Sequence, residues 1–169
     1  MQFVHAGSLD DGFTMIDYRR AYHLGIRVPE INAAMAEMGE ALGVTWCSLQ
    51  EREQSVWTPL DGPRTVPLKF TYSAEGPHHL ELLEGAPGTI WDGSVEPGAH
   101  HTGVWVDDVA ASTSALLAKG WTLVAAQRSP EDGFGAFTYV APPSGLIVEL
   151  VWSAIQPMFQ RWFAGGPLA

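Results

Sequence analysis

Two histidines and two glutamates stand at matching places in two similar stretches of the sequence. His23 and His101 each begin the pattern His-x-Gly-aliphatic-x-Val. Glu81 and Glu149 each interrupt a run of apolar residues. Imidazole and carboxylate groups bind divalent metals and also act as general bases. Two of each form a mixed nitrogen–oxygen set, which suits Zn²⁺, Ni²⁺, Co²⁺, Mn²⁺ or Fe²⁺ better than Ca²⁺.

The elements that must position these residues also occur twice. After each histidine comes a helix-like stretch that ends at a glycine, as the position after a helix favours. Strand-like stretches follow, and the last of them carries the glutamate. The helix-like stretches are residues 30–42 and 107–119, the next strands are 44–46 and 121–123, and the third strands are 67–73 and 136–142. The sequence therefore predicts two modules, each with the order strand, helix, strand, strand, strand.

The module boundaries follow from this repeat. We expect an N-terminal extension (1–20), a first module (21–85), a linker (86–99), a second module (100–152) and a C-terminal tail (153–169) that forms a short helix. The first module is longer than the second around residues 51–67. Proline and glycine at several positions there predict a loop.

The paired segments resemble those of the vicinal oxygen chelate superfamily, also called the glyoxalase, bleomycin-resistance and dioxygenase superfamily. The resemblance covers residues 20–152. It implies an α+β fold in which two paired βαβββ modules form a cupped mixed β-sheet with the helices outside. It also implies that His23, Glu81, His101 and Glu149 converge in the cup and bind one divalent metal ion. Whether one chain or two swapped chains build the cup is left open.

Two branches of that superfamily look most similar. The segments around Glu81, His101 and Glu149 look like those of methylmalonyl-CoA epimerases, and the ligand set equally resembles that of lactoylglutathione lyases. The resemblance implies a metal-dependent lyase, isomerase or epimerase that transfers a proton next to a metal-bound carbonyl. Glu149 is the first candidate for the base and Glu81 for its partner. A homodimer is expected.

Two other functions stay open at this point. One is a metal-free protein that binds an antibiotic-like small molecule, as bleomycin-resistance relatives do. The other is an Fe²⁺ extradiol-type dioxygenase, because two histidines and one carboxylate satisfy its ligand triad. The fourth ligand would be surplus in the dioxygenase, and the whole set would be surplus in the binding protein.

Residues around the predicted metal suggest what kind of substrate the cup holds. Because side chains alternate along a strand, Arg27 and Trp105 should lie on the same face as the histidines of their strands. Together with Trp57 and Tyr72 they are the candidate substrate-binding residues. The aromatic side chains favour an apolar or aromatic small molecule. By the same alternation His100 should lie outside the cup.

Charge and composition exclude some classes of partner. The formal net charge is −10, which disfavours nucleic acid and anionic membranes because both bind cationic surfaces. Cys47 is the single cysteine, so no disulfide can form within the chain, and we expect it to be buried. No apolar run approaches the length of a membrane span. A cytoplasmic protein is the expectation.

Overall fold

The structure is a computed structural model that describes residues 16–168. The first module contains β1 (Ala21–Arg27), α1 (Ile31–Leu42), β2 (Gln50–Thr58), β3 (Gly62–Tyr72) and β4 (His79–Gly85). The second contains β5 (Gly98–Val106), α2 (Val109–Ala118), β6 (Thr122–Ala126), β7 (Phe137–Ala141) and β8 (Val148–Trp152), and α3 (Gln156–Phe163) follows. Of the predicted N-terminal extension (1–20), residues 1–15 lie outside the described residues.

All eight strands belong to one mixed sheet, in the order β2-β3-β4-β1-β5-β8-β7-β6. β1 and β5 are antiparallel neighbours at its centre, and each pairs in parallel with the last strand of its own module. A pairing between Trp57 and Ala126 joins β2 to β6 and closes the cup into a barrel. The predicted α+β fold is confirmed, and its topology places both histidine strands side by side.

The prediction of a loop over residues 51–67 is wrong. Those residues form most of the β2–β3 hairpin, whose strands pair from Gln50 with Phe70 to Thr58 with Gly62. The prolines in β3 are tolerated because β4 pairs only with Leu68–Tyr72, so the first half of β3 lies at an open edge. The strand predicted over residues 44–46 is also wrong, since Trp46 forms only an isolated bridge.

Side-chain caps fix where the two longer helices begin. The Glu30 carboxylate accepts hydrogen bonds from the backbone N–H groups of Asn32 and Ala33, at 3.1 and 2.6 Å. Asp108 does the same for Ala111 at 2.9 Å. Such caps satisfy N–H groups that lack partners within the helix. α1 ends at Gly43, which adopts the left-handed conformation.

Helix α3 packs against the barrel core through its aromatic residues. Phe159 and Trp162 are buried, and the Trp162 indole N–H donates a hydrogen bond to Ser48 Oγ at 2.9 Å. Phe163 stacks on the ring of His79, with the centroids 3.8 Å apart. The C-terminal tail thus closes one end of the barrel. Among the described helices, none is long and apolar enough to span a membrane.

Replacing Trp162 by alanine should strongly destabilise the fold. The side chain is fully buried, so the substitution leaves a cavity and should cost about 3–5 kcal/mol in the free energy of unfolding. Trp152→Ala is the matched control, because that side chain is 46% exposed. Urea denaturation measures both values. Similar losses in the two variants would contradict the packing of α3 described above.

Candidate metal centre

The four candidate ligands lie in two rows across the sheet, each with a glycine in the middle. In one row Gly25 pairs with Glu81 on one side and with His101 on the other. In the other row Gly103 pairs with His23 and with Glu149. Neighbours in such a row point their side chains to the same face of a sheet. The register therefore directs both imidazoles and both carboxylates into the barrel from one chain.

Each glycine makes room for the imidazole of the other module. A Cβ atom added at Gly25 would overlap the ring of His101, and one added at Gly103 would overlap the ring of His23. Because nothing but a hydrogen atom occupies that side of the glycine, each ring can pack directly against the glycine backbone. The histidines consequently become fully or almost fully buried, at 0% and 2% exposure.

The ligand atoms of all four residues lie within 4.8 Å of one another. The two Nε2 atoms are 2.9 Å apart. Glu81 Oε2 lies 3.3 Å from His23 Nε2 and 3.1 Å from His101 Nε2, and Glu149 Oε2 lies 3.2 and 3.5 Å from them. Ligands bound at about 2.1 Å are separated by about 3.0 Å in octahedral and 3.4 Å in tetrahedral geometry. The spacing fits a single transition-metal ion.

Unpartnered atoms support the same conclusion. Glu81 Oε2 is buried and accepts no hydrogen bond, although two imidazole nitrogens lie close to it. Two Nε2 atoms at 2.9 Å can share only one proton between them. A single N–H···N hydrogen bond between the imidazoles therefore leaves the Glu81 oxygen unpaired. A buried carboxylate oxygen without a partner is costly, and a cation at the common centre of the four ligand atoms would remove the cost.

The electrostatics of the cluster favour a positive charge at this centre. Burial opposes protonation of His23, but the Glu81 and Glu149 carboxylates outweigh it and raise the pKa of His23 to about 9. Burial likewise opposes ionisation of Glu81, yet both histidines hold its pKa below the usual range. A metal ion must displace protons from the imidazoles, so metal binding should be tighter at higher pH.

A β-bulge places His100 differently from the sequence expectation. His101 pairs with Gly25 while Ala99 pairs with Ile26, so His100 is an extra residue in β5. The bulge defeats simple alternation, and His100 Nδ1 comes to lie 3.0 Å from His101 Nδ1. Burial and the neighbouring His101 lower the pKa of His100 to about 3, so its ring is neutral and can accept the Nδ1 proton of His101. Such a partner orients a ligating histidine.

Two tyrosines stand beside the carboxylates in equivalent positions. Tyr72 pairs across strands with Glu81, and Tyr139 pairs with Glu149. Burial and the two nearby carboxylates raise the pKa of both phenols well above the usual value, so both hydroxyls stay protonated. Tyr72 was predicted as a site residue, but Tyr139 was missed. Its signal was present in the repeat, because both third strands contain the order Phe-Thr-Tyr.

A cavity of about 370 Å³ lies over this cluster. Both candidate carboxylates face it, while the two histidines are covered beneath. Aromatic side chains form part of its walls, together with aliphatic and polar residues; they include Phe70, Tyr72, Trp91, Phe137, Tyr139 and Phe159. The volume falls at the lower end of the range for small-molecule pockets. Such a cavity has room for a compact group next to the four candidate ligands.

Three predicted cavity residues lie elsewhere. Arg27 turns away from the cavity and pairs with Glu96 at 3.1 Å. Trp105 is buried behind the cavity wall, where it stacks on Tyr22 with 3.9 Å between the centroids. Trp57 lies where β2 and β6 meet and does not line the cavity. The expectation that Arg27 and Trp105 line it is corrected, because the Arg27 side chain extends to Glu96 and Tyr22 lies between Trp105 and the cavity.

The structure also places one further histidine and one further arginine near the site. His79 directs Nδ1 at the backbone oxygen of Ser73, at 2.7 Å, and not at Glu81. Arg52 lines the cavity and was not singled out from the sequence. The sequence predicts a loop over residues 51–67, and the alternation of side chains along a strand does not apply to a loop. Arg52 therefore has no predicted facing.

Comparison with known proteins identifies the family. The family model for the Glyoxalase/Bleomycin resistance protein/Dioxygenase superfamily matches residues 22–140. The chain belongs to this superfamily. The resemblance drawn from the paired segments is thereby confirmed. A search of curated proteins finds no match.

Solved structures of superfamily members have the same fold. A methylmalonyl-CoA epimerase from Streptomyces coelicolor, in complex with 2-nitronate-propionyl-CoA, is 21% identical with a TM-score of 0.56 over 80% of this chain and 94% of its own. The Mycobacterium tuberculosis methylmalonyl-CoA epimerase is 17% identical, with a TM-score of 0.51 over 78% and 86%. A Streptomyces coelicolor 4-hydroxymandelate synthase mutant is 13% identical, with a TM-score of 0.52 over 79% and 48%. At these identities the likeness concerns the fold alone.

Adding one methyl group at Gly25 or Gly103 should disrupt metal binding, although every ligand residue is kept. In Gly103→Ala the new Cβ collides with the His23 ring and pushes Nε2 off the common centre. We expect affinity for Zn²⁺ or Co²⁺, measured by calorimetric titration, to fall at least about tenfold.

Gly39→Ala is the control for that experiment, because it adds the same methyl group to α1, far from the cluster. Its affinity for the metal should equal that of the unmodified protein. Circular dichroism shows whether each variant is folded. A folded Gly103→Ala variant with unchanged affinity would contradict the role given to the glycine.

Proposed function

We propose that this protein is a metal-dependent enzyme of the lyase, isomerase or epimerase type, which transfers a proton next to a carbonyl group of a small apolar or aromatic substrate. One observation carries the proposal. Four buried side chains from four strands present two imidazole nitrogens and two carboxylate oxygens to one point at the floor of a cavity. Such a site is costly to maintain in a core unless a cation occupies it.

His23, Glu81, His101 and Glu149 would hold the ion. A divalent ion bound there supplies a Lewis acid that stabilises negative charge developing on a carbonyl oxygen, by several kcal/mol. The two imidazoles are anchored beneath the cavity by their contacts with the sheet glycines. The two carboxylates face the space in which a substrate would lie.

Glu149 is our first choice for the base that removes a proton. It borders the cavity, and its Oε2 atom is turned towards the histidines, which leaves the other oxygen available. Tyr139 lies opposite it on the neighbouring strand. Glu81, with Tyr72 in the equivalent position, faces the substrate from the opposite side and could return the proton. A general base must lie within hydrogen-bond reach of the proton that it takes, and both carboxylates satisfy that demand for a substrate at the cavity floor.

The aromatic walls also support a substrate with an apolar body. The four candidate ligands are at most 7% exposed, and such burial strengthens electrostatic interactions between them. All four ligands come from one chain, so the proposed chemistry needs no residue of a second copy. The homodimer stays a prediction, which light scattering after size-exclusion chromatography can test.

A dioxygenase is the second candidate, and the shared fold with the 4-hydroxymandelate synthase favours it. Three of the four ligands match the two-histidine, one-carboxylate set of Fe²⁺ oxygenases. The fourth carboxylate fills a position that such enzymes leave open, and this places the dioxygenase second. Consumption of O₂ with a catechol by the Fe²⁺-loaded protein would reverse the order.

Glu149→Gln should abolish proton transfer while leaving the fold intact. The amide keeps the shape of the side chain but cannot accept a proton as a carboxylate does. With metal-loaded protein and an α-keto acid or acyl thioester in D₂O, NMR should show deuterium entering the carbon next to the carbonyl. The rate should fall by about 100-fold or more in the variant.

Glu37→Gln provides the matched control, because Glu37 is exposed on α1. That variant should exchange deuterium at the rate of the unmodified protein. An exchange rate in Glu149→Gln within a factor of two of the control would remove Glu149 from the reaction. Metal-dependent exchange that persists in that variant but is lost in Glu81→Gln would assign the base to Glu81.

A further inference from the structure

We propose that Arg52 binds an anionic group of the substrate at the mouth of the cavity. The substrate would then have three parts: a carbonyl group at the metal ligands, an apolar or aromatic body, and a carboxylate at the opposite end. The inference rests on the proposed function, because it assumes that the substrate occupies this cavity.

Arg52 is placed differently from every other cation in the described part of the chain. It lies on β2 at the cavity, and it is the one lysine or arginine among the lining residues. The carboxylates of Glu81 and Glu149 lie at the floor of the same cavity. The cavity therefore has negative groups at the floor and a positive group at the rim.

The guanidinium of Arg52 is held in position by an aromatic ring. Its central carbon lies 4.6 Å from the centroid of Phe70, which also lines the cavity. Stacking of this kind occupies the flat face of the guanidinium and leaves the N–H groups at its edge available. Among the described residues, no carboxylate lies within ion-pair distance of Arg52. By contrast, Arg27 and Arg64 are paired with Glu96 and Asp61.

The charges near Arg52 decide which ligand group it fits. Glu51 and Glu53 flank it along the strand and are exposed, and Glu53 also borders the cavity rim. These acids repel an approaching anion, so only an anion that binds Arg52 strongly would be held at the rim. An arginine edge can bind both oxygens of a carboxylate at once, which offsets that repulsion. A local cation of this kind lets a chain of net charge −10 accept an anionic substrate.

Two matched probes test the proposal on the metal-loaded protein. Benzohydroxamate offers a pair of neighbouring oxygens to the metal and a phenyl ring to the aromatic walls. The 3- and 4-carboxybenzohydroxamates add one carboxylate at the far side of the ring. We expect at least one of the two to bind about tenfold more tightly than benzohydroxamate. Calorimetric titration measures the affinities.

Arg52→Gln should remove that preference and leave the affinity for benzohydroxamate within about twofold. Arg64→Gln is the matched control, because Arg64 lies on the same hairpin, outside the cavity lining. The control should keep the preference. No preference in the unmodified protein, or an equal preference in Arg52→Gln, would overturn the assignment.

A metal-free pair of probes separates this proposal from the proposed function. If no hydroxamate binds in a metal-dependent manner, the metal centre fails. 2-Naphthoate and 2-naphthamide, titrated into chelator-treated protein, then test Arg52 alone by quenching of tryptophan fluorescence. A preference for naphthoate that is lost in Arg52→Gln supports the anion subsite without the metal. Equal binding of the two probes, or no binding of either, overturns it.

Discussion

The arrangement of the candidate metal centre depends on the missing side chains of Gly25 and Gly103. Each glycine lies between a histidine and a glutamate in a row across three strands. The absence of a Cβ atom lets each imidazole pack directly on the sheet, where a larger residue would hold it away. Because β1 and β5 are neighbours, the two rows lie next to each other. The four ligand atoms meet for that reason, and the cavity, the tyrosines and the rim are arranged around them.

The two modules repeat this arrangement but use one position differently. A bulge before each histidine turns the preceding residue inward, and that residue is Tyr22 in one module and His100 in the other. Tyr22 joins the aromatic cluster with Trp105, whereas His100 hydrogen-bonds His101. The repeat thus supplies the symmetric ligand set, and the bulge residues make its two halves chemically unequal. Unequal halves suit a reaction in which one carboxylate removes a proton and the other returns it.

The sequence predicted the fold and the clustering of His23, Glu81, His101 and Glu149, because both follow the repeat, which is visible in residue types and spacing. It failed where tertiary pairing overrides local pattern. The prolines over residues 51–67 predict a loop, but the open edge of the β2–β3 hairpin tolerates them. Alternation misplaced His100 because a bulge changes the facing of one residue without leaving a mark in the sequence. The facing of Arg52 cannot be predicted while its segment is read as a loop. The position of Tyr139 beside Glu149 can be predicted, because Tyr72 and Tyr139 occupy equivalent places in the repeat.

The central claim is that two histidines and two glutamates of one chain bind one metal ion. X-ray absorption spectroscopy of metal-free protein reloaded with one equivalent of Zn²⁺ tests it most directly. We predict a first shell of nitrogen and oxygen scatterers at about 2.0–2.2 Å, with the multiple-scattering pattern of two imidazoles and no sulfur. In the His23→Ala variant, we expect the multiple-scattering pattern of one imidazole instead of two. A shell without imidazole, a shell that contains sulfur, or failure of the protein to retain one Zn²⁺ per chain would contradict the account.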